Sequence, residues 1–105
     1  MNILKSGIIG VVVGDALGCP VQFESRAEVA QHPVTGMRGY GTFNLPPGSW
    51  TDDSSLTLAL LESIRRTGAI DYTDIMDSFV KWLDDGAFTP YGYSYDIGGA
   101  TMSAI

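Results

Sequence analysis

The stretch GSWTDDSSLTLAL, residues 48–60, places two adjacent carboxylates directly before an apolar helical run. Thr51 is the predicted N-cap residue, whose hydroxyl would accept a hydrogen bond from a backbone N–H. Acids in the first turn are stabilised by the positive end of the helix dipole. We therefore predict a helix from about Asp52 to Thr67, ended by Gly68 as a C-terminal cap. Helix capping is one explanation of the two acids, and ligand binding is the other.

A helical wheel places both acids beside the predicted buried stripe. On a wheel with about 100° per residue and Leu56 at zero, Asp52 lies at about −40° and Asp53 at about +60°. Carboxylates beside a core are costly unless they are paired or metal-bound, and no Lys or Arg lies within four positions of them. The oxygen donors of Thr51, Asp52 and Asp53 therefore predict a hard divalent cation, Mg²⁺, Mn²⁺ or Ca²⁺, with Glu24 as a further candidate ligand.

The composition limits the other classes of function. The chain has 105 residues with 45% hydrophobic and 17% charged content, which indicates one small domain or part of a larger one. Its net charge of −6 and its scattered basic residues argue against nucleic acid binding. Cys19 is the only cysteine, which excludes an intrachain disulfide and favours the cytoplasm. One cysteine and one histidine, His32, are too few for a zinc site or a serine triad.

The amino-terminal segment, residues 3–18, predicts a helix with glycines at every third or fourth position, although the valine run 11–13 also fits a strand. Glycines weaken an isolated helix by roughly 1 kcal/mol each, so we expect this helix to be buried and tightly packed. Its uninterrupted apolar core, residues 7–14, is too short to span a membrane. Asp15 within the apolar run also argues against a lipoprotein signal.

The rest of the chain alternates helices with irregular segments. Glycines and prolines make residues 32–50 irregular, with room for a short strand at 39–43. Asp71 and Gly86 predict the start and end of another helix, and a further helix begins near Ile97. The helix between Asp71 and Gly86 has an apolar stripe that we assign to the core: Ile75, Met76, Phe79, Val80, Trp82 and Leu83.

Three segments, GVVVGDALGCPVQFE, PPGSWTDDSSLTLAL and GAFTPYGYSYDIGGATMSAI, occur in this order along the chain. Together they resemble the amino-terminal part of the ADP-ribosylglycohydrolases, the family that includes dinitrogenase reductase-activating glycohydrolase. The resemblance covers essentially the whole chain. It implies an all-α orthogonal helical bundle, in which residues 1–105 form the amino-terminal portion and the carboxyl-terminal part is missing.

The resemblance also implies a function, the metal-dependent removal of ADP-ribose from modified side chains or related ADP-ribosyl compounds. In that family, two Mg²⁺ or Mn²⁺ ions lie at the base of the ADP-ribose cleft. Carried over by position, the metal ligands are Thr51, Asp52 and Asp53, the catalytic acids are Glu24 and Asp96, and the substrate-binding glycines are Gly98 and Gly99. The two glycines let the backbone approach the ligand or simply form a turn.

One feature of the family has no counterpart here, since members carry a second acidic metal-binding cluster near their carboxyl terminus. We therefore expect the lone chain to be inactive, and to need either a complementary carboxyl-terminal chain or a homo-oligomer. The expected ligands are ADP-ribose or an ADP-ribosylated protein, with no nucleic acid or membrane partner. Two alternatives remain, a non-catalytic truncated helical domain that self-associates and an unrelated Ca²⁺-binding helical module.

Overall fold

Every regular element in residues 2–105, the part of the chain that the computed structural model describes, is helical. The helices are α1 (Ile3–Gly18), α2 (Arg26–Gln31), α3 (Asp52–Thr67), α4 (Tyr72–Asp85) and α5 (Gly99–Ala104), with 3₁₀ turns at Cys19–Val21 and Gly41–Phe43. The all-α prediction is therefore confirmed. The chain divides into two compact units, the first ending at Trp50 and the second running from Thr51 to Ile105.

The valine run 11–13 is helical, since it lies within α1 in the first unit. Asn2 caps the start of α1, because the Oδ1 atom accepts a hydrogen bond from the Lys5 N–H at 2.9 Å. The expected burial is wrong. Ile3 is 87% exposed, and Ala16 is the buried residue of this helix. A Cβ built on Gly7 or Gly10 would meet no atom within 4 Å, so the described chain provides no close packing on this glycine face.

The expectation that the amino-terminal segment is too short to span a membrane is also wrong. The helical stretch Ile3–Val21 has 19 residues and is long and apolar enough to cross a membrane by length and composition. Core helices of soluble proteins and amino-terminal signal sequences have the same character. The stretch is therefore weak evidence for membrane insertion.

A turn replaces the short strand expected at residues 39–43. Tyr40 and Leu45 form one isolated antiparallel bridge around the second 3₁₀ turn. Gly41 has a φ of +50°, and a Cβ there would lie 1.9 Å from the carbonyl oxygen of Pro20. The Thr42 hydroxyl donates a hydrogen bond to the carbonyl of Gln22. These contacts hold the turn against the segment that follows α1, and the pairing ends after one bridge, so no strand forms.

The predicted ends of α3 and α4 in the second unit are confirmed. Gly68 and Gly86 follow these helices in the left-handed conformation, with φ of 71° and 72°. Asp71 caps α4, since its carboxylate accepts a hydrogen bond from the Asp74 N–H at 3.0 Å. Helix α5 begins at Gly99, slightly later than the start predicted near Ile97. Local capping signals therefore located these helices to within a few residues.

Helices α3 and α4 pack together, and the buried side chains of α3 are all small. They are Ser54, Ser55, Ala59 and Ser63. The predicted core stripe of α4 is confirmed for Trp82, which is 1% exposed, and for Ile75, whereas Met76 is exposed. Small residues allow two helix backbones to approach closely, which suits the contact between α3 and α4.

Candidate active site

The start of α3 holds the residues predicted to bind a metal. Thr51 is buried, Asp52 is half-buried and Asp53 is exposed. The buried face of α3 is centred on Ser55 and Ala59, at about −100° and −60° on the wheel used above. Asp52 lies on this face, as predicted, whereas Asp53 at about +60° turns away from it. The expectation that both acids flank the buried stripe is therefore wrong for Asp53.

Thr51 occupies the N-cap position but does not act as the predicted cap. Its backbone is extended, and its side chain makes no capping hydrogen bond to the helix. Instead, a hydrogen bond from the Thr51 side chain to Asp52 lowers the pKa of the Asp52 carboxyl. The hydroxyl thus acts as a donor to the neighbouring carboxylate and does not accept a hydrogen bond from the first turn of the helix.

The pKa of Asp52 is raised overall, because burial disfavours its charged form and the negative charges of Asp96 and Asp53 add to that effect. The backbone N–H of Asp53 and the Thr51 side chain donate hydrogen bonds that partly oppose the rise. Asp96 is more than forty positions further along the chain. Its influence on Asp52 therefore shows that the fold brings the segment before α5 to the start of α3.

Gly98 and Gly99 follow Asp96 and form the start of α5. Gly98 is the N-cap residue, with a φ of −64° that any residue can adopt, and Gly99 is the first helical residue. A Cβ on Gly99 would meet no atom within 4 Å, and one on Gly98 would make an ordinary contact with Thr101. Neither glycine is required by the local backbone, and their predicted role in binding substrate stays a prediction.

Glu24 lies in the first unit, in the loop after the first 3₁₀ turn. Its side chain is exposed, and its backbone N–H donates a hydrogen bond to the Val21 carbonyl at 3.0 Å. The preceding residue, Phe23, has a positive φ of 69° and is itself exposed. The catalytic role predicted for Glu24 remains a prediction.

The donor set at the start of α3 suits a hard cation but forms only part of a coordination shell. Across residues 2–105, no three His, Cys, Asp or Glu side chains are grouped so that they could hold a metal ion. Thr51, Asp52 and Asp53 supply a hydroxyl and two carboxylates, whereas Mg²⁺ takes six oxygen ligands, several of them water. The residues present therefore suit an oxygen-liganded ion, which would need further ligands to complete its shell.

A tyrosine-rich segment between α4 and α5 was not assigned to the site from the sequence. Tyr93 and Tyr95 form an edge-to-face pair with ring centroids 5.6 Å apart. The segment is anchored to α3, because the Ser55 hydroxyl donates a hydrogen bond to the Phe88 carbonyl at 3.0 Å. The concentration of tyrosines directly before Asp96 was the available sequence signal.

Comparison with known proteins gives one consistent result. The sequence model for ADP-ribosylglycohydrolases matches residues 3–105. The chain is 37% identical over 101 residues to the ADP-ribosylarginine hydrolase Tri1 of Serratia proteamaculans (strain 568), covering 96% of this chain and 27% of the relative. It is 42% identical over 77 residues to the ADP-ribosyl-[dinitrogen reductase] glycohydrolase of Rhodospirillum rubrum, covering 71% and 26%. The chain thus spans about a quarter of the length of these curated relatives.

Proposed function

The chain belongs to the ADP-ribosylglycohydrolase family, and from this premise we propose that it takes part in the hydrolytic removal of ADP-ribose from modified side chains. The observation that carries the proposal is that Asp52 and Asp96, two carboxylates from separate segments, lie close enough at the start of α3 for the charge of Asp96 to raise the pKa of Asp52. Relatives named for action on ADP-ribosylarginine and on dinitrogen reductase support a protein-linked substrate.

The oxygen donors at the start of α3 are proposed to hold Mg²⁺ or Mn²⁺, with two ions in the complete site. Thr51, Asp52 and Asp53 would be ligands, and their hard oxygens suit these ions. When bound, such ions supply electrostatic stabilisation and help to orient ribose hydroxyls and water. The half-burial of Asp52 supports this assignment, because a cation would offset the cost of its buried charge.

Asp96 and Glu24 are proposed to assist bond cleavage. The glycosidic bond to ribose breaks with positive charge developing on the sugar ring, which nearby carboxylates stabilise. Asp96 lies close enough for its charge to act on Asp52, so it can face a ribose held at the start of α3. Gly98 and Gly99 are proposed to lie along the substrate, where the open space beside Gly99 leaves room for it.

We propose that the complete site includes ligands from outside this chain. Three ligand side chains leave the shell of even one Mg²⁺ to be completed by additional ligands or water. A complementary carboxyl-terminal chain or a second copy could supply them, and the lone chain is expected to turn over no substrate. The single cysteine supports a cytoplasmic location for this activity.

A non-catalytic role through self-association is the second candidate. The observation that favours it is the exposed apolar surface of α1, which includes Ile3, Leu4, Ile9, Val11 and Val13. Exposed apolar surface of this kind drives association between proteins. In this case the acidic residues at the start of α3 would not bind a ligand.

Calorimetric titration separates the two candidates. Mg²⁺ or Mn²⁺ is titrated into the chain, followed by ADP-ribose, while light scattering records the oligomeric state. We expect saturable metal binding and metal-dependent binding of ADP-ribose. Asp52→Ala and Asp53→Ala should abolish metal binding, whereas Asp77→Ala, which removes an exposed acid on α4, should not. A folded oligomer that binds neither metal nor ADP-ribose would refute the hydrolase proposal and favour self-association.

A further inference from the structure

The charges of the second unit are separated along α3. Its three basic residues are Arg65, Arg66 and Lys81, and Arg66 and Lys81 both lower the pKa of Asp74 near the carboxyl-terminal end of α3. Arg65 pairs there with Glu62 at 2.6 Å. These arginines lie roughly 20 Å along the helix axis from Asp52. The start of α3 therefore has an excess of negative charge that favours a cationic ligand group.

In the tyrosine pair beside this acidic region, Tyr93 is exposed although its backbone is held in place, and Tyr95 is half-buried. Tyr93 is 52% exposed. On one side of it, the Gly92 N–H donates a hydrogen bond to the Thr89 hydroxyl at 2.9 Å. On the other side, the Ser94 hydroxyl donates to the Leu83 carbonyl at 3.0 Å. Both neighbours of Tyr93 are anchored while its ring is open to solvent. A ligand that binds the ring would therefore cost little backbone entropy.

The geometry of the pair leaves ring surface on the exposed Tyr93 for a ligand. The rings of Tyr93 and Tyr95 are inclined at 68°, so the edge of one ring covers at most one face of the other. Tyr95 directly precedes Asp96, and the Cα atoms of Tyr93 and Asp96 can be no more than about 11 Å apart. If the ribose lies near Asp96, as proposed, the group attached to its anomeric carbon would lie on the same side of the molecule as these rings and within about 11 Å of the backbone of Tyr93.

We infer that Tyr93, supported by Tyr95, binds the guanidinium group of an ADP-ribosylated arginine side chain through a cation–π contact. Guanidinium groups bind over aromatic faces, and the surrounding carboxylates add electrostatic attraction. This inference rests on the proposed function, because the ribose must first lie at the start of α3. It makes Tyr93 a determinant of specificity for a cationic linkage over free ADP-ribose.

The test compares the affinities of two ligands, ADP-ribosylarginine and ADP-ribose, by calorimetry on the full chain with saturating Mg²⁺. Chromatography after each titration verifies that the ligand is intact. We expect the wild-type chain to bind ADP-ribosylarginine about five to ten times more tightly. Tyr93→Ala should remove this preference while leaving the affinity for ADP-ribose unchanged, and Tyr93→Phe should keep most of it. Tyr72→Ala, which removes an 80% exposed tyrosine from α4, is the matched control and should change neither affinity.

The outcomes distinguish this inference from the function on which it rests. Equal binding of both ligands by the wild-type chain, or an unchanged preference in Tyr93→Ala, would overturn the guanidinium contact and leave the proposed function standing. If Tyr93→Ala lowered the affinities for both ligands equally, Tyr93 would have a structural role, and this result would also overturn the guanidinium contact. Failure of the wild-type chain to bind either ligand would refute the proposed function, and the guanidinium contact with it.

Discussion

The two glycines that end α3 and α4 provide a matched test of how tightly the tyrosine-rich segment is packed. Gly68 and Gly86 have nearly the same backbone, with φ of +71° and +72°. Placing alanine in this left-handed region costs about 1–2 kcal/mol at either position. Their surroundings differ. A Cβ on Gly68 would meet no atom within 4 Å, whereas a Cβ on Gly86 would lie 2.1 Å from the Gly92 carbonyl oxygen.

Gly86→Ala should therefore be the more damaging substitution. The built Cβ is about 1.3 Å short of the 3.4 Å at which ordinary contact begins, and the atom it meets belongs to the backbone. The segment around Gly92 must move, which costs a further 1–3 kcal/mol or so. We expect Gly68→Ala to lower the free energy of unfolding by about 1–2 kcal/mol and Gly86→Ala by about 2–5 kcal/mol.

Equilibrium unfolding in urea, followed by tryptophan fluorescence in a Trp50→Phe background so that the buried Trp82 is the reporter, measures both losses. The Gly86→Ala variant should also lose the preference for ADP-ribosylarginine, because Tyr93 follows the displaced Gly92. Equal destabilisation by the two alanines would refute the close approach of Gly86 to Gly92. It would also show that the left-handed conformation alone requires these glycines.

Three further substitutions test other contacts. Thr51→Val should raise the pKa of Asp52 further, because the side-chain hydrogen bond that lowers it is lost, and NMR titration of the carboxyl carbon would detect the change. Asp74→Asn should flatten the acid dependence of stability. Hydrogen bonds from Arg66 and the Ser63 hydroxyl lower the pKa of Asp74 from its ordinary 3.8, so its stabilisation is complete above that pH and is lost as the pH falls through the lower folded-state pKa. Urea unfolding across this range would show whether the wild-type chain loses more stability than the variant. Trp82→Ala should lower the free energy of unfolding by about 3–5 kcal/mol, because it empties a fully buried site in the α3–α4 pair, and a loss below about 1 kcal/mol would contradict that packing.

The sequence by itself determined the helices of the second unit and the family. Gly68, Gly86 and Asp71 act through their own backbone preferences or on residues a few positions away, so their effects can be predicted without knowledge of the fold. The motifs around Asp52 and Asp96 indicated the family because each is a short pattern of neighbouring residues, which can be read without the fold.

The tertiary structure alone decided which side chains share a site. The proximity of Asp96 to Asp52 depends on how separate segments pack, and no local signal specifies it. The hydrogen bond from Thr51 to Asp52 joins sequence neighbours, but the sequence did not reveal that the hydroxyl makes this bond and no capping one. The wheel centred on Leu56 misplaced Asp53 because small residues, led by Ala59, form the most buried face of α3. Burial depends on the partner that a face meets as well as on its hydrophobicity, and for this reason the apolar α1 is exposed while a serine-rich face of α3 is buried.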